Sequence, residues 1–125
     1  MINLDYRDQR SLHEQIADGF RELIVNAIMQ PDEQLPSVRE LSISLTVNPN
    51  TVQKAYKQLE LDGYIYSIKG KGSFVAAAKD IRTAHGTQEL YDVLKNTVRE
   101  LMFLGEDKSP IINMVNNIYS EKEEQ

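Results

Sequence analysis

The chain has 125 residues, 41% of them hydrophobic, with a formal net charge of −5 and no cysteine. That length supports one modest core with at most a small appended element, and it excludes an enzyme joined to a separate ligand domain. Lack of cysteine removes any disulfide framework or catalytic thiolate, no apolar run approaches the roughly 18 residues that span a bilayer, and the start Met1-Ile2-Asn3-Leu4 lacks the basic-then-apolar order of a signal peptide, so a soluble, cytoplasmic protein with no membrane partner is expected.

Leu12, Ile16, Phe20, Leu23, Ile24, Ala27 and Ile28 recur at helical spacing behind a Ser11-x-x-Glu14 capping box, which predicts a first amphipathic helix over about residues 11–29. Pro31 and Pro36 bound a loop. Ser37 and Glu40 form a second capping box opening a short helix over 38–45, with Leu41 and Leu45 inward. Thr46-Val47 is a tight turn, Asn48-Pro49 caps and opens a third helix over 49–62, and Gly63 stands where a left-handed cap belongs. Residues 64–68 and 73–76 are β-favouring runs about a glycine-containing turn, hence a hairpin.

Residues 77–85 lack clean periodicity and are expected to be a linker. Leu90, Tyr91, Leu94, Val98, Leu101 and Met102 then recur at helical spacing over 87–104, ending near Gly105. Ser109-Pro110 starts a last helix with Ile111, Ile112, Val115, Ile118 and Tyr119 inward, before a solvated tail over 121–125. The predicted architecture is α+β, mostly α: a winged helix-turn-helix DNA-binding domain over residues 1–79, then a short two-helix dimerisation and regulatory unit over 80–125.

Charge is unevenly spread. Residues 37–79 hold six Lys/Arg (Arg39, Lys54, Lys57, Lys69, Lys71, Lys79) against three Asp/Glu, while residues 80–125 hold five against nine. A phosphate backbone feels the local surplus within a Debye length of about 8–10 Å, not the whole-chain charge.

On the third helix Val52, Ala55, Tyr56 and Leu59 fall at i, i+3, i+4 and i+7 and read as core, leaving Asn50, Gln53, Lys54, Lys57 and Gln58 outside. Asn and Gln can bond adenine through both amide atoms, and Lys can reach guanine or phosphate. The tip Lys69-Gly70-Lys71-Gly72 brings cations on a small turn that can approach phosphate closely. Arg39 either reaches phosphate or guanine from the helix start behind Ser37, where free N–H groups favour an anion, or pairs with Glu40 or Glu60. Taken singly, a polar helix face and a lysine-bearing turn are ordinary surface; their order along the chain favours DNA. His13 and His85 lie far apart, Gly70-x-Gly72 precedes no helix, and neither catalytic residues, a metal site nor a cofactor is expected.

Leu35-Pro36-Ser37-Val38-Arg39-Glu40-Leu41, Val47-Asn48-Pro49-Asn50-Thr51-Val52, Ala55-Tyr56, Leu59, Gly63-Tyr64-Ile65 and Gly70-Lys71-Gly72-x-Phe74-Val75 resemble, in order and spacing, the GntR family of bacterial transcription regulators, specifically its short YtrA-like branch. The resemblance covers about residues 10–76. It implies a homodimer on a short palindromic double-stranded DNA operator, usually as a repressor, with a small-molecule effector at the C-terminal part in many members. It assigns DNA contacts to Arg39, to Asn48, Asn50, Thr51, Gln53 and Lys54, and to Lys69, Gly70 and Lys71. Where many relatives have Gly this chain has Asp32 and Thr46, which at a left-handed position costs about 1 kcal/mol. Where many have Arg it has Pro49 and, for some, Gln53, so guanine-reading arginines are absent there.

The last 40 or so residues are too few to enclose a cavity of several hundred cubic ångströms. The stripe Leu90, Leu94, Val98 and Leu101, facing Ile111, Val115 and Ile118, is instead expected to bury against a second copy. Two rival readings fit the same sequence: a winged-helix module for protein–protein contact, and a DNA-binding activator or nucleoid-type protein without sequence preference.

Overall fold

The Ser11 hydroxyl accepts the Glu14 N–H and starts helix α1 (Leu12–Val25) in a computed structural model that describes residues 2–79, 81 and 86–123. The helix stops short of Ala27 and Ile28, which the spacing had placed inside it. Ala27 turns left-handed (φ 59°), and the N–H groups of Ala27 and Ile28 fold back onto the carbonyls of Ile24 and Leu23. Ile28 therefore swings out, 65% exposed, while Met29 is buried.

Helix α2 (Val38–Leu45) carries the complete capping box: Glu40 N–H donates to the Ser37 hydroxyl at 3.0 Å and Ser37 N–H to the Glu40 carboxylate at 3.4 Å. Helix α3 (Pro49–Leu61) is opened by Asn48, whose side-chain oxygen accepts the Asn50 N–H at 2.8 Å, with proline in the first turn where no donor is needed. Val52, Ala55, Tyr56 and Leu59 bury one face of α3 against Ile16, Ala17 and Phe20 of α1 in a single core. Each large aliphatic or aromatic chain so buried contributes about 1.5–3 kcal/mol before entropic costs. Phe20 meets Tyr56 edge-on at 5.7 Å.

Strands β1 (Ile65–Ile68) and β2 (Gly72–Val75) pair antiparallel, Ile65 opposite Val75 and Ile68 opposite Gly72. The loop before α2 extends this ribbon: Asp32 and Leu35 N–H groups donate to the Val75 and Ser73 carbonyls, and Val75 N–H to Glu33. After β2, Ala78, Lys79 and Ile81 are helical and Ile81 packs half-buried on the core, so the stretch expected to be a plain linker begins as a structured turn. His85, assigned to that linker, lies outside the described residues. At the other end the buried Gln15 clasps the N-terminal segment, accepting from Asp5 N–H at 2.8 Å and donating to the Asp5 and Arg10 carbonyls.

The chain divides into two compact units, Met1–Gly86 and Thr87–Gln125. In the second, α4 (Gln88–Phe103) ends on Gly105 (φ 87°) and α5 (Lys108–Glu123) begins slightly before Ser109-Pro110 and continues through residues expected to be tail. Among its described residues none is fully buried: Val98, Leu101 and Ile111 are half-buried, while Leu90, Leu94, Val115 and Ile118 are exposed. No helix among the described residues is long and apolar enough to cross a membrane.

Candidate nucleic-acid interface

Burial of Val52, Ala55, Tyr56 and Leu59 forces the opposite side of α3 outward. Asn50, Gln53, Lys54 and Lys57 stand there, all exposed and, at i, i+3, i+4 and i+7, on one stripe. Thr51 is half-buried beside it. Asn48 is exposed but commits its carbonyl oxygen to the helix cap, so only its NH₂ remains to donate. Gln58 is held by both carboxylate oxygens of Asp62 at 3.1 Å.

Ser37 likewise serves its helix first, its oxygen occupied by the Glu40 N–H. Arg39 follows on the first turn of α2, exposed. The ion pairs weighed for it do not form among the described residues: Glu40 serves the capping box and Glu60 accepts from the Ser67 hydroxyl at 3.3 Å. A phenol sets the position of α2's start relative to α3, since Tyr56 donates to the Pro36 carbonyl at 2.7 Å. Burial pushes the Tyr56 pKa well above the usual tyrosine value, and the nearby Glu40 carboxylate adds to the shift.

Lys69, Gly70 and Lys71 form the exposed tip between β1 and β2, closed by the Lys71 N–H to Ile68 carbonyl bond at 2.9 Å. Gly70 and Gly72 both have positive φ, 78° and 126°. A Cβ on Gly72 would lie 2.8 Å from the Gln34 side-chain nitrogen, so a larger residue there would displace that amide. That nitrogen donates to the Lys71 carbonyl at 2.9 Å and ties the tip to the loop preceding α2. Tyr66 stacks on Phe74 at 5.6 Å and donates to the Asp32 carboxylate at 2.6 Å, a second tie between the same parts.

Reasoning from sequence missed Gln34, the Tyr56 hydroxyl and the Asp32–Tyr66 bond as positioning groups. Their partners lie 37, 20 and 34 residues away, so no local pattern could have marked them. The three exposed polar sets, at the start of α2, along α3 and at the hairpin tip, all lie in the first unit; the apolar stripe of Leu90, Leu94, Val98, Leu101, Ile111, Val115 and Ile118 lies in the second. No cluster of three or more His, Cys, Asp or Glu able to hold a metal ion occurs among the described residues.

The family model described as bacterial regulatory proteins, gntR family, matches residues 12–75, from the start of α1 to the end of β2. The chain belongs to the GntR family. It is 45% identical over 76 residues to the HTH-type transcriptional repressor YtrA of Bacillus subtilis (strain 168), a match covering 61% of this chain and 58% of that protein. The crystal structure of a transcriptional antiterminator from Listeria monocytogenes EGD-e superimposes with a TM-score of 0.71 at 32% identity, covering 96% of this chain and 90% of that one. AraR(DBD) in complex with operator ORE1 gives a TM-score of 0.53 at 28% identity over 61% of this chain and 93% of that one. In this GntR chain the segment matched by the family model contains the α2 start, α3 and the hairpin tip.

Proposed function

We propose that this chain is a cytoplasmic, sequence-specific DNA-binding transcription regulator that acts as a homodimeric repressor on a short palindromic operator. The observation that carries the reading is the exposed α3 stripe of Asn50, Gln53, Lys54 and Lys57, which has no ion-pair partner among the described residues and shares the first compact unit with the exposed Arg39 and the Lys69–Gly70–Lys71 tip. Amides read base edges, lysines and Arg39 take phosphate or guanine, and the tip contacts the backbone beside the helix. Ser37 positions the α2 N-terminus towards a phosphate, while Asn48 and Thr51 set the entry of α3. A reader helix needs a groove about 12 Å wide, which B-form DNA provides and the deep, narrow major groove of duplex RNA does not.

The relatives support the same reading: one is named a transcriptional repressor, and the AraR domain was solved on an operator. Dimerisation falls to α4 and α5, whose apolar residues are at most half-buried within their own unit. Residues 87–121 include none that is fully buried, so no effector site is assigned to α4 and α5.

Mobility-shift titration of the full chain against operator-containing duplex at increasing salt tests the function. Affinity should fall steeply and linearly in the logarithm of salt, with a slope that reflects cations from two subunits. A chain that binds no duplex at low salt is a protein-contact module instead.

A further inference from the structure

We infer, resting on α3 as the reader helix, that each operator half-site contains two adjacent A·T base pairs, one contacted by Asn50 and the next by Gln53. Reading adenine through both N6 and N7 needs an amide whose carbonyl oxygen and NH₂ are simultaneously available. Four amide side chains lie at or on α3. The Asn48 oxygen holds the Asn50 N–H, and the Gln58 NH₂ is engaged by Asp62. Asn50 and Gln53 remain, exposed, with neither side-chain amide hydrogen-bonded among the described residues.

Their separation fits successive base pairs. Three residues rise about 4.5 Å along a helix, close to one base step of about 3.4 Å, and helical residues three apart contact successive bases in zinc-finger complexes. The amides could make single bonds to cytosine or guanine, but adenine alone uses both of their atoms. No arginine occurs anywhere in α3, so the planar guanidinium fork is missing from this stripe and any guanine contact falls to its lysines. Lys54 and Lys57 offer donors only, and Lys57, a further turn along, is suited to phosphate.

Selection by the full chain from a duplex pool with a randomised core tests this. Enriched half-sites should share two neighbouring A·T pairs of fixed strand polarity. Asn50→Ala should flatten the preference at one of them and Gln53→Ala at the other, each by roughly 5- to 150-fold. Gln53→Arg should move its position towards G·C. Circular dichroism should be unchanged, because both side chains lie outside the core. Enrichment of G·C at these positions by the unaltered chain, or a base preference untouched by both alanine variants, overturns the inference while leaving a DNA-binding protein. Equal retention of every duplex does the same, whereas retention of none at low salt removes the DNA-binding reading and this inference together.

Discussion

Four helix ends share one hydrogen-bond pattern, in which a residue one or two positions past the end is left-handed and the next N–H returns to a carbonyl five residues back: Ile28 to Leu23, Val47 to Ser42, Tyr64 to Leu59 and Glu106 to Leu101. Glycine fills the left-handed place at Gly63 and Gly105, whereas Ala27 and Thr46 fill it at the ends of α1 and α2. Thr46 is the more strained, since a β-branched residue at φ 56° and ψ 51° crowds its own backbone. Left-handed strain costs about 1–2 kcal/mol, and glycine's extra unfolded-state entropy takes back about 0.5–1. Thr46→Gly should therefore raise stability by up to about 1 kcal/mol, read as a higher denaturation midpoint at unchanged slope; a lower midpoint would show that the threonine side chain contributes more than its strain costs. Tyr56 supplies a second test at this scale. Its raised pKa means that the stability it contributes is whole below about pH 10, where the unfolded phenol ionises, and is lost as pH climbs towards the folded value. Tyr56→Phe should flatten that alkaline decline relative to the parent chain, while costing about 0.5–1.5 kcal/mol at neutral pH for the lost bond to Pro36.

At the scale of elements, the hairpin tip is held by its neighbours as much as by its own turn. Gln34→Ala removes the bond to the Lys71 carbonyl without removing a charge. Affinity for operator should drop a few-fold through added freedom of the tip, yet the salt slope should stay where it was, whereas Lys71→Ala should lower the slope by about 1 per lysine lost from the interface. Mobility shifts at several salt concentrations separate the two; a slope that falls in Gln34→Ala would mean the tip no longer reaches phosphate at all. What the sequence could show here followed from range. Capping boxes, the Asn48-Pro49 start and Gly63 act within a turn, and the α2, α3 and hairpin boundaries followed from them. The α1 end did not, because Ala27 gives no glycine signal for a left-handed residue and the helical spacing ran on through Ile28. Nor did the strand-like pairing of residues 32–35 with β2, or the clasp of Gln15 on Asp5 and Arg10, since each joins segments whose partner is unknown until the chain has folded. Among the candidate site residues, Asn50, Gln53, Lys54 and Lys57 were legible from the periodicity of the buried face, but that the Asn48 oxygen and the Gln58 amide are already occupied was not.

For the molecule as a whole, the unequal burial of the two units suggests a division of labour. The first has a core that is closed once Ile81 has packed, so a chain ended after Gly86 should fold cooperatively without the rest. The second leaves Leu90 at 55%, Leu94 at 50% and Ile118 at 55% exposure, and pairing two copies would take several such side chains out of water at about 1.5–3 kcal/mol each. Association must overcome some 4–15 kcal/mol of lost translational and rotational freedom. A stripe of seven residues per copy can exceed that, whereas the isolated exposed apolar residues of the first unit, such as Ile43 and Leu61, would bury far less. Ending the chain after Gly86 should accordingly give a folded monomer whose affinity for a palindromic operator is lower by on the order of 10²–10⁴, because the second half-site no longer sees a tethered reader. Its affinity for a single half-site should be nearly that of one subunit in the full chain. Sedimentation velocity on the shortened chain decides the matter: a dimer that persists with unchanged self-affinity would assign the interface to the first unit and leave the apolar stripe of α4 and α5 to another partner.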